Sequence, residues 1–209
     1  QMAHEAEVRK KNRARNIFMV VAGFLLVIAV GILRRVIYIR KAKKEIEYEK
    51  KRSENLLLNI LPHEIAEELK EKGRADARRF ENVSILFTDF RNFTKISEQL
   101  SPDELVNRIN SCFERFDSIC NKYDIEKIKT IGDSYMAAGG LPVPTKSATK
   151  NTVLAGLEMA EYINRQKNQH MAKDNLCFEM RVGIHTGPVV AGIVGVTKFQ
   201  YDIWGDAVN

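Results

Sequence analysis

The chain of 209 residues carries a formal net charge of +6, and its 44% hydrophobic and 29% charged residues are an ordinary balance for a folded protein. The basic excess is confined to residues 1–52, which hold 14 Lys and Arg against 5 Asp and Glu, whereas residues 53–209 hold 19 against 22. A nucleic-acid-binding domain would show a basic patch on its folded body, so this distribution argues against that class. Cys112, Cys120 and Cys177 lack metal-ligand spacing, and we interpret them as small core residues in a reducing compartment.

The N-terminal part of the chain predicts a membrane anchor. A basic juxtamembrane segment, residues 1–16, precedes residues 17–39, which hold no charge apart from Arg34 and Arg35. A span needs about 17–25 mostly apolar residues, so we expect a single-pass transmembrane helix over 17–39 in the inner or plasma membrane of the cell. A buried core helix and a secretory signal peptide are the alternatives. The flanking basic clusters disfavour the first, and Arg34-Arg35 stands where the second needs a cleavage site. The basic residues after the span favour a cytoplasmic C-terminal part.

Residues 40–73 predict a helical linker. Apolar residues recur along one side of it, and Pro62 is expected to break it into two pieces, because proline removes a ladder hydrogen bond. Gly73 is the expected stop. We interpret the segment as a signalling helix that pairs two chains beneath the membrane, with a solvated linker helix as the alternative.

From residue 80 to 209 the pattern predicts a compact α+β domain. Ser101-Pro102-Asp103-Glu104 forms a capping box that begins a packed helix. The predicted strands are 83–88, 125–131, 134–138, 178–185, 189–194 and 199–204. The predicted helices are 92–100, a long helix that starts at residue 101, and 148–169. A turn is expected at Gly187-Pro188, between two of the strands. The order β-α-β-β-α-β followed by a hairpin predicts a ferredoxin-like fold with an extra hairpin.

Two aspartates follow two of these strands. Asp89 ends the run 83–88, and Asp133 lies in the turn after 125–131. If the first crossover is right-handed, the two strands run the same way, so both aspartates reach one edge of the sheet. Neighbouring carboxylates repel each other, and a divalent cation relieves that repulsion. The pair therefore predicts a metal site, although aspartate is also a common turn former.

Four segments, ILFTDFRNFTKISE, EKIKTIGDSYMAAGGLP, MRVGIHTGPVVAGIVG and FQYDIWGDAVN, make the chain resemble a class III nucleotidyl cyclase of the adenylate cyclase type. The resemblance covers residues 56–209 and includes NLLLNILPHEIAEELK, which is similar to the signalling helix of that family. It implies conversion of ATP to 3′,5′-cyclic AMP and pyrophosphate, in intracellular signal transduction. A relationship to diguanylate cyclases is disfavoured because a GGDEF-type motif is missing.

The resemblance also implies a metal and phosphate site. Asp89 and Asp133 fall on the metal-binding aspartates of the family, and the Phe90 carbonyl is a further ligand. They would hold two Mg²⁺ or Mn²⁺ ions per active site, one acting on the ribose 3′-hydroxyl and the other on the phosphates. The backbone N–H groups around Phe90, Asn92, Phe93 and Thr94 would hold the phosphates at a helix start.

The base-reading positions of the family fall on Lys129 and Asp202. A lysine can donate to adenine N1, and a carboxylate can accept from the 6-amino group, so this pair favours ATP. Guanylate cyclases typically carry Glu and Cys at these positions. A guanylate cyclase is the first alternative, and an inactive dimerising regulatory domain is the second.

In the family, the metal aspartates and the base-reading pair of one active site come from different chains. One sequence with both sets predicts a homodimer with active sites at the interface. Asn209 matches the asparagine that stabilises the transition state, and the arginine four residues further would lie beyond the end of this chain. We therefore expect a longer protein, incomplete here at the C-terminus, with a sensor upstream of Gln1, and little turnover by these 209 residues alone.

Overall fold

The computed structural model describes residues 2–170, 177–195 and 197–209. The chain divides into two compact units, residues 1–56 and residues 57–209. The first unit is helical, and the second holds the sheet and the helices that pack on it.

A single helix accounts for the first unit. Helix α1 extends over Met2–Leu58, so the predicted span at 17–39 and the first half of the predicted linker at 40–73 form one helix without a break. Among the described residues, α1 is the one helix long and apolar enough to cross a membrane, a finding of length and composition alone. A signal sequence near the N-terminus passes the same test, so the membrane span stays a prediction.

The predicted break at Pro62 is confirmed. Helix α1 ends at Leu58, and helix α2 covers His63–Lys72 with Pro62 as its N-cap at φ −56° and ψ 149°. Proline suits this position because its missing N–H removes no ladder bond there. Gly73 ends α2 at φ 71°, and its N–H donates to the Leu69 carbonyl at 2.9 Å. Glycine adopts that left-handed conformation without the cost that a Cβ brings, which confirms the predicted stop.

The second unit continues with alternating strands and helices. Its elements are β1 (Arg78–Arg91), α3 (Phe93–Ser97), α4 (Pro102–Tyr123), β2 (Glu126–Ile131), β3 (Ser134–Gly139), α5 (Ala148–His170), β4 (Glu179–Val194) and β5 (Gln200–Trp204). The strands form one sheet in the order β2-β3-β1-β4-β5, and neighbouring strands are antiparallel. Strands β1 and β2 are both antiparallel to β3 and so run the same way, as predicted. The α+β class is confirmed.

Helices cover both faces of the sheet. On one face, Leu86 of β1 packs with Phe116 of α4 and Met159 of α5 in a buried cluster. On the other face, Ile85 packs in a second cluster with Ile65 of α2. Because successive strand residues point to opposite faces, β1 supplies both clusters and forms the centre of the unit.

Helix α4 begins as predicted. The Ser101 hydroxyl accepts from the Glu104 N–H at 3.4 Å, and the Glu104 carboxylate accepts from the Ser101 N–H at 3.1 Å, which completes the capping box. The helix predicted at 92–100 is shorter than expected. Only Phe93–Ser97 is helical, and Asn92 precedes it in the left-handed conformation at φ 57°. Asparagine tolerates that conformation better than most residues.

The turn predicted at Gly187-Pro188 is wrong. Strand β4 is continuous over 16 residues and contains both, so the predicted strands 178–185 and 189–194 are its two halves. The β1–β4 register shifts between the pairs Val83–Gly187 and Phe80–Val189, which places an irregularity of β1 opposite Pro188. A proline at such a bulge costs no ladder bond, so the strand passes through it. The predicted extra hairpin is the second half of β4 paired with β5.

Candidate active site

Asp89 lies where β1 leaves its neighbour β3. The register of these strands ends at the pair Thr88–Tyr135, so Asp89 follows beside Ser134. The Ser134 hydroxyl donates to Asp89 Oδ1 at 3.4 Å. Asp133 immediately precedes Ser134, in the turn where Gly132 has φ 60°. The structure therefore brings Asp89 and the turn that holds Asp133 to one edge of the sheet, as the strand directions predict.

The carboxylate of Asp89 has a second partner that the sequence did not reveal. Arg181 of β4 is the register partner of Asp89, and its guanidinium forms an ion pair with Asp89 Oδ2. The two side chains are 68% and 40% exposed, respectively. A cation of the chain itself therefore lies on one carboxylate oxygen of a predicted metal ligand.

Aromatic stacking fixes the segment behind Asp89. The Phe90 ring is buried and stacks on the Phe178 ring with centroids 4.6 Å apart. The centroids of the Phe90 and Phe93 rings are 6.5 Å apart. Asn92 occupies the N-cap position of α3, and its side chain makes no capping hydrogen bond. The N–H groups of Phe93 and Thr94 lie in the first helical turn, where they have no carbonyl partner within the helix. These residues directly follow Asp89 in sequence, and they are the residues predicted to contact the phosphates.

Lys129 and Asp202 are brought together from the two outer strands of the sheet. The Lys129 ammonium contacts Asp202 Oδ2 at 2.6 Å, and the Ile203 N–H donates to Asp202 Oδ1 at 2.9 Å. Their side chains are 28% and 10% exposed. Since β2 and β5 are the first and last strands of the sheet, this ion pair requires the sheet to curve until its edges meet. The two predicted base-reading residues are therefore in direct contact.

A half-buried carboxyl lies on the same strand as Lys129. Glu126 precedes Lys129 by three residues, and burial raises the pKa of its carboxyl to about 7, with the charges of Glu64 and Asp124 adding to the effect. Asn209, predicted to act on the transition state, lies in the turn after β5. Its backbone N–H donates to the Asp206 carbonyl at 3.3 Å, and its side chain is exposed.

The predicted ligands, two carboxylates and a backbone carbonyl, are hard oxygen donors of the kind that Mg²⁺ and Mn²⁺ prefer. Within the described parts of the chain, no group of three or more His, Cys, Asp or Glu could hold a metal ion. Mg²⁺ is usually bound through one or two carboxylates, with water and substrate phosphates completing its shell. Asp89 and Asp133 are the two carboxylates predicted for this role, and Asp89 forms an ion pair with the Arg181 guanidinium.

Comparison with known proteins identifies the family. Residues 75–209 match the model described as the adenylate and guanylate cyclase catalytic domain. The chain belongs to this family. It is 38% identical to the rat guanylate cyclase soluble subunit beta-2 over 82% of this chain and 25% of that protein. It is 39% identical to an adenylate cyclase of Mycobacterium bovis over 81% of this chain and 38% of that protein. It thus spans less than half the length of either relative.

A solved structure agrees with this assignment. The adenylyl cyclase CyaB of P. aeruginosa matches with a TM-score of 0.60 and 28% identity, over 65% of this chain and 70% of that one. The family implies a nucleotide cyclase, a lyase that acts in cyclic nucleotide biosynthesis and generally uses divalent metals. Adenylate and guanylate cyclases both occur among the relatives, so sequence similarity alone does not distinguish ATP from GTP as the substrate.

Proposed function

We propose that this chain is the catalytic part of an adenylate cyclase, which converts ATP to 3′,5′-cyclic AMP and pyrophosphate. The observation that carries the proposal is the contact between Lys129 and Asp202 at 2.6 Å, with the second carboxylate oxygen held by the Ile203 N–H. The pair presents one donor and one acceptor at adjacent positions. That is the pattern that an adenine edge requires.

The choice of base follows from hydrogen bonding. Adenine offers an acceptor at N1 and a donor at its 6-amino group, which complement an ammonium and a carboxylate. Guanine offers a donor at N1 and an acceptor at O6. The ammonium would then face a second donor, and the carboxylate would face a second acceptor. Mispaired polar groups in a closed site stay unsatisfied, and such rejection can be large. Asp202 is only 10% exposed, so water would compensate a mispaired carboxylate poorly.

Asp89, Asp133 and the Phe90 carbonyl would hold two Mg²⁺ or Mn²⁺ ions. When bound, the ions would lower the pKa of the ribose 3′-hydroxyl and neutralise the phosphates. The chain's own residues orient the nucleotide: the first N–H groups of α3, near Asn92, Phe93 and Thr94, donate to phosphate oxygens, and the Asn209 side chain stabilises the reacting centre.

The active site would form between two copies of the chain. Both the metal aspartates and the base-reading pair are present in one sequence, so a symmetric homodimer makes two equivalent sites. We further propose that residues 17–39 anchor the protein in the cell membrane, with the catalytic domain in the cytoplasm. Helices α1 and α2 would then carry a signal by changing how the two domains meet.

Guanylate cyclase is the second candidate, since the chain is also 38% identical to a guanylate cyclase subunit. The test is the double substitution Lys129→Glu with Asp202→Cys in the complete protein, measured as kcat/KM for ATP and for GTP. The proposal expects the preference to move from ATP towards GTP by at least tenfold, which corresponds to about 1.4 kcal/mol.

The matched control is Lys127→Glu, because Lys127 lies on the same strand but pairs with Asp117 at 2.9 Å. This variant is expected to keep the ATP preference. Unchanged nucleotide selectivity in the double variant contradicts the base-reading argument, and a wild-type preference for GTP supports the second candidate.

A further inference from the structure

A cleft lies at the edge of the sheet opposite to Asp89, where β1 begins and β3 ends. Its walls are formed by the first residues of β1, the loop between β3 and α5, the first turn of α5 and Thr186 of β4. The cleft has a volume of about 840 Å³. Asp89 lies ten residues after Arg79 on β1, about 30 Å along an extended strand, so the cleft is separate from the proposed catalytic site.

Three threonines line the cleft, and two of them are linked through a buried serine. Ser84 is completely buried, and its hydroxyl lies 2.8 Å from the hydroxyls of both Thr149 and Thr186. Ser84 has one hydroxyl hydrogen, which it donates to Thr149. Thr186 therefore donates to Ser84, and the hydroxyl hydrogen of Thr149 stays outside this chain of bonds.

The third threonine, Thr145, has a buried hydroxyl for which the described part of the chain supplies no hydrogen-bond partner. A buried hydroxyl without a partner is costly, because it has lost its bonds to water. Thr145 and Thr149 can therefore both donate to an acceptor in the cleft.

The charged residues of the lining are mostly basic. Arg78, Arg79 and Lys146 line the cleft together with one acidic residue, Glu81. Arg78 is held by Glu68 of α2. Arg79 pairs with Glu81 at 2.8 Å, but both side chains are exposed, and such pairs are weak because water and salt screen them. Lys146 is exposed, and among the described residues it forms no ion pair. Arg79 and Lys146 therefore favour an anion.

An apolar surface completes the lining. Phe80 of β1 and three residues of the β3–α5 loop contribute it, namely Pro142, Val143 and Pro144. A ligand with an apolar body would bury this surface, which a bare ion would leave in water. A ligand that matches the whole cleft therefore combines an anionic group with an apolar body.

A phosphate monoester fits the polar groups better than a carboxylate does. It has three terminal oxygens and a charge of about −1.5 to −2 at pH 7. A carboxylate has two oxygens and a single charge, so it would use fewer of the donors that the two cations and the two threonines supply.

We propose that this cleft binds a small phosphate monoester with an apolar body. Arg79 and Lys146 pair with the phosphate group, and Thr145 and Thr149 donate to its oxygens. The apolar body packs on Phe80 and the prolines of the loop. This site is additional to the proposed nucleotide site and requires neither its metal ions nor its base-reading pair.

The test is isothermal titration calorimetry of the 209-residue chain in detergent and EDTA, with phenyl phosphate as the probe. Inorganic phosphate and benzoate are titrated in parallel. Phenyl phosphate is expected to bind at least threefold more tightly than either, since inorganic phosphate lacks the apolar body and benzoate lacks the third oxygen and the second charge. Absence of phenyl phosphate binding overturns the inference, and so does equal or tighter binding of either comparison ligand.

Lys146→Gln locates the binding. It is expected to weaken the binding of phenyl phosphate roughly threefold to tenfold, because a charge-assisted bond to the phosphate is lost. Lys150→Gln is the matched control, because Lys150 is an exposed lysine four residues later that does not line the cleft. It is expected to bind with wild-type affinity. Wild-type affinity of Lys146→Gln overturns the inference.

Thr145→Val separates binding from folding. It removes the unpartnered hydroxyl and keeps the shape of the side chain, so Tm without ligand is expected to equal or exceed that of the wild type. Phenyl phosphate is nevertheless expected to bind roughly threefold to tenfold more weakly. A lower Tm without ligand indicates that the hydroxyl has a partner within the fold, and unchanged affinity indicates that it does not face the ligand. Either result overturns the inference.

Discussion

The ion pair of Lys129 and Asp202 is expected to stabilise the second unit as well as to read the base. Replacing Lys129 with methionine leaves a carboxylate that is only 10% exposed without its cation, although the Ile203 N–H still donates to it. Exposed pairs contribute about 0.2–1 kcal/mol, and removal of one partner of a fully buried pair costs about 3–5 kcal/mol. The intermediate burial of this pair indicates a cost of about 2 kcal/mol, close to the value of a charged hydrogen bond.

That cost predicts a measurable change in thermal unfolding. For a unit of this size, 1 kcal/mol lowers Tm by about 2–4 °C, so Lys129→Met is expected to lower Tm by about 4–8 °C. Trp204 is the only tryptophan in the chain and lies two residues after Asp202, so its fluorescence reports unfolding near the pair. Lys127→Met removes a more exposed ion pair of similar length and is expected to cost less than about 1 kcal/mol.

A double-mutant cycle isolates the pair. Asp202→Asn keeps an acceptor for the Ile203 N–H and leaves a lysine that water can reach, so it is expected to cost about 1 kcal/mol. The double variant of Lys129 and Asp202 is expected to cost less than the sum of the single variants by about 1 kcal/mol or more. Additive costs, within about 0.3–0.5 kcal/mol, would refute a stabilising contact between these side chains.

Three further outcomes are expected. Ser101→Ala removes a capping box and is expected to destabilise the unit by about 1 kcal/mol, measured by thermal unfolding, whereas Ser101→Asp is expected to stay near wild type. Burial raises the pKa of Glu126 to about 7, above its value in the unfolded chain. The native state therefore holds the proton more tightly, and stability from this group falls as pH rises from about 4.5 to 7; Glu126→Gln should raise Tm more at pH 8 than at pH 5, and an equal effect would contradict this. Burial raises the pKa of Cys112 and of Cys120 to about 11, so both should resist alkylation at pH 8 until the chain unfolds, and rapid labelling of either in the native state would contradict their burial.

Local signals in the sequence predicted the parts of the fold that depend on neighbouring residues. The capping box at Ser101 and the break at Pro62 rest on chemistry within four residues, and both are confirmed. The prediction of a turn at Gly187-Pro188 was wrong. Strand β4 can contain Pro188 because β1 has a bulge opposite it, more than a hundred residues away in sequence. A strand pattern alone carries no information about its partner's irregularities.

Some contacts of the candidate site could likewise be predicted from the sequence, and others could not. Asp89 and Asp133 could be placed together from strand direction alone, because both follow strands that run the same way. The contact between Lys129 and Asp202 depends on the curvature of the whole sheet, and only the family resemblance pointed to it. Arg181 was missed because a lone arginine in the middle of a strand gives no local signal. Its position beside Asp89 appears only once the β1–β4 register is known.

The most direct test of the account is nucleotide turnover by the complete protein with Mg²⁺ or Mn²⁺, with ATP and GTP in parallel and Asp89→Ala as the comparison. The account predicts cyclic AMP formed in preference to cyclic GMP, and a loss of turnover of at least a hundredfold in Asp89→Ala, because one of two metal-binding carboxylates is gone. Equal activity of Asp89→Ala and the wild type would contradict the mechanism, and a preference for GTP would contradict the base reading by Lys129 and Asp202.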